Sequence, residues 1–220
     1  MSFVLDTIKC MGSRIRQLAR SGRGEPSPCS GRGPGAAPCG RMNKMITRRL
    51  ADTTSLELRW ARVEMGPPAY ELTAGKETLA ILCGDVDLQT IACARTADGE
   101  WTIAFERRGP SANHVVARSP ETGIETATIE WKLLRSRVLN LANGHQYKWA
   151  MVRLVPPSWH FIGAEDKPLV TISAEVLAPR EQGTIDLSPE VIGLEDLPLL
   201  TVLALYIHLL GSHKQAEWAT

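Results

Sequence analysis

One segment near the C-terminus constrains the fold more than any other. Residues 197–210 read Leu-Pro-Leu-Leu-Thr-Val-Leu-Ala-Leu-Tyr-Ile-His-Leu-Leu, apolar around the whole circumference of a helix. Pro198 suits a first helical turn, Glu195 and Asp196 complement the positive N-terminal end, and Gly211 suits the residue after the last turn. Fourteen residues rise about 21 Å, short of a hydrocarbon core of about 30 Å. Extension meets Glu195 and Asp196 on one side, His213 and Lys214 on the other. A helix apolar on every side has to be surrounded. The interior of its own protein is the expected surrounding; a membrane tail anchor and an oligomer interface are the alternatives.

The preceding residues have the texture of strands. Leu56-Glu57-Leu58-Arg59-Trp60-Ala61-Arg62-Val63 alternates with period two, and Gly66-Pro67-Pro68 ends it. Further strand candidates are 69–73, 77–83, 86–95, 100–107, 113–118, 123–132, 136–142, 145–155, 158–164 and 168–178, with Gly, Pro, Asn and Asp in the breaks. Asp98-Gly99 and Asn143-Gly144 are hairpin signals, for which type I′ turns are expected. No helical crossover intervenes, so about 10–12 strands at this spacing predict an antiparallel sandwich or barrel. One flat sheet cannot cover all sides of the 197–210 helix. The expected fold is therefore all-β with one helix, an antiparallel closed or nearly closed barrel around it.

Charge divides the chain. Residues 1–50 hold ten Lys and Arg against two acids, a net +8, whereas residues 51–220 hold fifteen against 22, a net −7. Phe3, Leu5, Ile8, Met11, Ile15 and Leu18 align as one face of a short helix. From Ser21 to Arg41, ten of 21 residues are Gly or Pro and none is aromatic or β-branched, which reads as disorder. The expected organisation is a basic leader over 1–50, a domain over 51–215 and a tail over 216–220. A non-native or tag-like leader, a targeting segment and a functional arm all fit the first of these. The five cysteines are odd in number and contain no CxxC, so neither a disulfide framework nor a zinc site is expected; Cys83 and Cys93 read as small core side chains.

The motifs of catalysis are not in the sequence: it has no glycine-rich phosphate loop, no GxSxG and no HExxH. His114, His145, His160, His208 and His213 are scattered, and His208 reads as a hydrogen-bonded core residue. Asp85-x-Asp87 and Glu165-Asp166 could bind a cation, but acidic pairs at turns are usually solvated. Tyr147, Trp149, Trp159 and Phe161 alternate on neighbouring strands, as the wall of a ligand cavity or as a packed face. No catalytic group, cofactor or metal is expected.

Near the C-terminus the order of elements is distinctive. Asn143-Gly144-His145-Gln146-Tyr147-Lys148-Trp149 is followed by Trp159-His160-Phe161, then Glu165-Asp166-Lys167-Pro168-Leu169-Val170, then the apolar helix. Over about 55–210 this resembles the tubby C-terminal-like superfamily, which includes the tubby proteins, phospholipid scramblases and LURP-one-related proteins, and most closely its small bacterial members. The resemblance implies a barrel threaded by its C-terminal helix. It also implies a lipid function, either capture of phosphoinositide head groups on a basic patch or calcium-dependent lipid movement. No calcium loop or cysteine cluster is present, and the basic residues available are Arg107, Arg108, Arg135 and Arg137. With Tyr147, Trp149 and Trp159 these are the candidate ligand contacts. The expected function is a non-catalytic barrel domain binding a lipid, a phosphorylated head group or a membrane surface, located in the cytoplasm or peripheral to the membrane. Its expected partner is an anionic membrane lipid or a protein, with nucleic acid touched only non-specifically through the leader. A structural or protein-interaction domain without a small ligand is the alternative, and the helix discriminates: if it fills the barrel, no ligand site remains inside.

Overall fold

Alternating strands each present one apolar face, and a set of such faces needs a common interior. The structure, a computed structural model, describes residues 45–63, 68–84, 91–108, 112–131, 137–154, 157–175, 178 and 180–218. These lie in a compact unit, Ala36–Thr220. The amphipathic pattern at 3–20, the Gly/Pro-rich stretch, Asp85, Asp87 and Arg135 lie outside the described residues.

Twelve strands form a closed antiparallel barrel: β1 (Glu57–Val63), β2 (Ala69–Ala74), β3 (Glu77–Gly84), β4 (Ile91–Thr96), β5 (Glu100–Arg107), β6 (Asn113–Arg118), β7 (Glu125–Trp131), β8 (Arg137–Leu141), β9 (Gln146–Leu154), β10 (Pro157–Ile162), β11 (Pro168–Ala174) and β12 (Gln182–Leu187). Each pairs with its neighbours in sequence, and β1 closes on β12 with Trp60 opposite Gly183. Inside runs α1 (Leu197–Trp218). Leu58, Leu72, Leu82, Ile103, Val115, Ile129, Leu139, Ile172 and Ile185 from the wall share one buried cluster with Leu200, Leu203, Tyr206, Ile207 and Leu210 from the helix. The outer face carries charge, with Glu57, Arg59, Lys148 and Asp186 exposed. That is the reverse of the apolar band by which a barrel sits in lipid. Among the described residues no helix is long and apolar enough to cross a membrane.

Strands of odd number run from the mouth that receives the start of α1, here the lower mouth, to the upper mouth where α1 leaves. The lower mouth is closed by the chain just before β1. Leu50, in a 3-10 turn (Leu50–Asp52), is fully buried in the central cluster. Asp98, in the β4–β5 turn, accepts its N–H at 3.0 Å and the Arg49 Nε at 2.5 Å. Arg48 pairs with Glu77 at 2.6 Å. The folded unit thus begins before residue 51.

Three local expectations change, for β12, for the end of α1 and for the hairpin turns, while the two cysteines are buried as small core side chains. Strand β12 falls outside the strand candidates, because its inward positions are Gly183, Ile185 and Leu187, too few large apolar residues to mark a strand. Gly211 lies within α1, which continues to Trp218 rather than ending after Leu210. Neither hairpin uses a type I′ turn. Gly144 has φ +90° but Asn143 is not left-handed, and the Gly144 N–H bonds to Leu141 O at 3.0 Å, the pattern of a turn closed by a glycine bulge. At Asp98-Gly99 neither residue has positive φ, since the Thr96 hydroxyl accepts both N–H groups at 3.0 and 3.1 Å. Cys83 and Cys93 stand opposite each other on β3 and β4, buried with Ala69 and Ile81 in a small outer cluster apart from the main core.

Candidate functional site

Every residue from Leu197 to Leu210 is buried, on all sides of the helix. The barrel interior is therefore occupied by protein, and space for a ligand lies at the mouths.

At the lower mouth the β8–β9 hairpin meets the start of α1. Asp196, only 8% exposed, accepts hydrogen bonds from Asn143 Nδ2 at 2.8 Å and the Tyr147 hydroxyl at 2.7 Å, and lies 2.5 Å from His145 Nδ1. Burial acts to raise the Asp196 carboxyl, but the bonds from His145, Tyr147 and Asn143 together outweigh it and hold it below the usual aspartate value. For Tyr147, burial first and then the Asp196 carboxylate raise the phenol, which stays protonated. The result is a latch. One buried carboxylate ties the helix start to the hairpin, and the Asn143-Gly144 turn points two of its three donors at it.

The latch also fixes His145. Its Nδ1 faces the Asp196 carboxylate, on a side chain 63% exposed. Beside it opens a cleft of about 860 Å³. Leu169 and Leu194 give it apolar wall, His145 and Gln146 give it hydrogen-bonding groups, and Lys167 lies between Glu165 at 2.9 Å and Glu190 at 3.3 Å. The imidazole–carboxylate pair is oriented as in a general base, but the lining offers no serine, threonine or cysteine, and the Tyr147 hydroxyl is already bonded to Asp196. Among the described residues no group of three or more His, Cys, Asp and Glu is arranged to hold a metal. Glu165 pairs with Lys167, and Asp166 takes a left-handed turn position at φ 56°.

The structure scatters the candidate ligand contacts. Arg107 is exposed at the end of β5. Arg108 belongs to an outer ion-pair network with Glu106, Arg118 and Glu125, in which the Arg118 hydrogen bond above all holds the Glu106 carboxyl below its usual range. Arg137 points inward, 5% exposed, with its guanidinium 5.9 Å from the Trp159 ring centre, and burial lowers it to about 10. Trp149 is buried and stacks on Trp159 at 5.8 Å, almost parallel, with Phe161 at 4.6 Å. Arg137, Trp149 and Trp159 thus pack against one another, while Tyr147 belongs to the latch. Asp196, Asn143 and His145 were not among the candidates. Asp196 read as a partner for the helix dipole, and only the Asn-Gly-His turn marked the place.

Comparisons with known proteins leave the chain on its own terms: no family model matches it, and neither do curated proteins or solved structures.

Proposed function

We propose that this domain is a non-catalytic binding module whose ligand is an amphiphile held at the lower mouth. The observation that carries this is the cleft of about 860 Å³ beside an imidazole fixed by Asp196, on a barrel whose interior is filled. Leu169 and Leu194 suit an acyl chain. Both signs of charge stand at the cleft, in Lys167 against Glu165 and Glu190, which suits a zwitterionic head group better than a purely anionic one. A twelve-stranded barrel around a C-terminal helix supports kinship with the tubby-like superfamily, and lipid recognition at a membrane surface goes with it as part of the same proposal.

The test is titration of the full chain with dihexanoylphosphatidylcholine, followed by the His145 ring resonances and by calorimetry. Saturable binding is expected, weakened about tenfold or more by His145→Ala and by Leu194→Asp. Dodecyl phosphate, purely anionic, is expected to bind less well. The second reading, a structural or interaction domain, is favoured by the filled interior itself. It predicts no saturable response to either amphiphile, and that outcome would replace the binding proposal.

A further inference from the structure

Two thiols meet on the outer face of the barrel. Leu82 and Ala94 face the interior, so their neighbours Cys83 on β3 and Cys93 on β4 face outward, directly opposite each other across the ladder. Both are thiols, only 1% and 2% exposed. The row they occupy is uncharged, with Val63 and Ala69 on one side and Thr102 on the other. Residues directly opposed on antiparallel strands have Cα atoms about 4.5–5.5 Å apart. A disulfide spans about 4.4–6.8 Å between Cα atoms, so the ladder already holds this pair at bonding separation.

An outward position is buried only when something lies over it. Ile46 and Val63 pack against the cluster that holds the two cysteines. Val63 belongs to β1 and so to the wall, whereas Ile46 belongs to the segment that runs into the Leu50–Asp52 turn. That segment is fastened by side chains: Arg48 to Glu77 at 2.6 Å, Arg49 to Asp98 at 2.5 Å, and Leu50 in the central cluster. The two arginine side chains are 36% and 62% exposed, so their ion pairs are screened and weak. The strands beneath are paired on both edges within a closed barrel. Local opening therefore begins with the cover and not with the ladder.

We propose that Cys83 and Cys93 are a reversible modification site, joined as a cross-strand disulfide by a small organic disulfide that reaches them when the segment carrying Ile46 lifts. One cysteine, as its thiolate, attacks a sulfur of the reagent; the reagent's S–S bond breaks and its first half leaves as a thiolate that takes up the proton. The second cysteine then attacks the mixed disulfide, the Cys83–Cys93 bond forms, and the other half leaves as a thiol. The protein gives up two electrons and two protons, and one reagent disulfide becomes two thiols. A dithiol runs the exchange backwards. The bond closes a ring over residues 83–93 and fastens β3 to β4 without moving either strand.

The experiment uses the full chain with Cys10, Cys29 and Cys39 replaced by Ser, so that Cys83 and Cys93 are its only thiols. The folded protein is held in oxidised glutathione, and thiols are counted in denaturant beside the intact mass. Both thiols are expected to disappear together with a loss of two mass units, and dithiothreitol is expected to restore them. Adding Cys93→Ser is expected to stop the reaction at a glutathione adduct on Cys83. Arg49→Ala, which loosens the cover, is expected to speed the reaction about two- to fivefold. Leu203→Ala, which weakens the whole fold but not the cover, is expected to leave the rate within about twofold. The disulfide form is expected to melt about 5–10 °C above the thiol form. Two intact thiols, glutathione adducts without a Cys83–Cys93 bond, or a disulfide form that melts lower would each overturn the proposal. So would a faster reaction in Leu203→Ala than in Arg49→Ala, which would make oxidation an event of the unfolded chain.

Discussion

Gly183→Ala tests how tightly the barrel is closed around its helix. Gly183 sits opposite Trp60 on β1 and opposite Ala174 on β11, on the inner face of the barrel. The Trp60 indole reaches across it to donate to Ser173 O at 3.2 Å. A methyl group on Gly183 would stand 2.0 Å from Ser173 O, 2.8 Å from Trp60 Nε1 and 2.9 Å from the Ala174 Cα. Two of those three atoms are β11 backbone, so relief requires either opening the β11–β12 ladder or displacing Trp60. Overpacking of this kind costs about 1–3 kcal/mol. Stranding the buried indole N–H adds about 1–3 kcal/mol. A total of roughly 2–6 kcal/mol in a domain of this size lowers Tm by about 4–24 °C. The assay is thermal unfolding followed by near-UV circular dichroism, with Trp60→Phe as a second background. Phenylalanine removes the indole N–H but not the collision with Ser173 O, so only part of the loss should return. A Gly183→Ala protein melting within about 2 °C of wild type would refute the reasoning. Full recovery in the Trp60→Phe background would refute its backbone half.

Three further outcomes are expected. Leu203→Ala, in the middle of the buried 197–210 segment and 1% exposed, should cost about 2–5 kcal/mol by urea unfolding, and a cost near zero would mean that the helix is not the core. Burial lowers His208 from 6.5 to about 4, so between those values the unfolded chain binds a proton that the folded chain refuses. Stability should be full above that window and fall by about 3 kcal/mol as pH drops through it; His208→Leu should remove this part of the slope, and an unchanged slope would contradict it. A fragment starting at residue 54 should melt below one starting at residue 45, because it lacks the buried Leu50 and the bonds to Asp98; burial of one leucine is worth about 1.5–3 kcal/mol, and equal melting temperatures would show that Leu50 is not a plug.

The architecture was legible because two patterns demand each other. The all-apolar 197–210 segment needs a complete enclosure, and a series of alternating strands without crossovers needs a common interior; a closed barrel around a helix satisfies both. What escaped the sequence were features set by contact rather than by pattern. In β12, the position facing Trp60 and Ser173 has room for no side chain, so glycine stands where an apolar residue would have revealed the strand. Gly211 resembled a helix end, but its backbone continues the helix, and a glycine within a helix leaves no trace in composition. Arg48 and Arg49 share the basic character of the leader and Leu50 follows directly on them, yet Glu77, Asp98 and the central cluster draw all three into the fold.

The candidate sites were less legible for a related reason. Aromatic and basic residues attract notice in a sequence, but in a small barrel with a helix inside they are the largest pieces available for packing. Trp149, Trp159 and Arg137 are used in that way. The groups left facing space come instead from where elements end. Asp196 precedes the first turn of α1, His145 follows a hairpin turn, and His208 lies where the helix leaves the wall. Each is polar at a point where the enclosing sheet stops, and each is brought to its neighbours by closure of the barrel between residues about fifty to 150 apart in sequence, as Asp196 with Asn143 and His208 with Trp60 show. Filling the interior moves any binding chemistry to the two rims. There the lower rim offers an imidazole held by a carboxylate beside an apolar wall, and the upper rim a smaller pocket lined by Trp60, His208 and side chains of both charges.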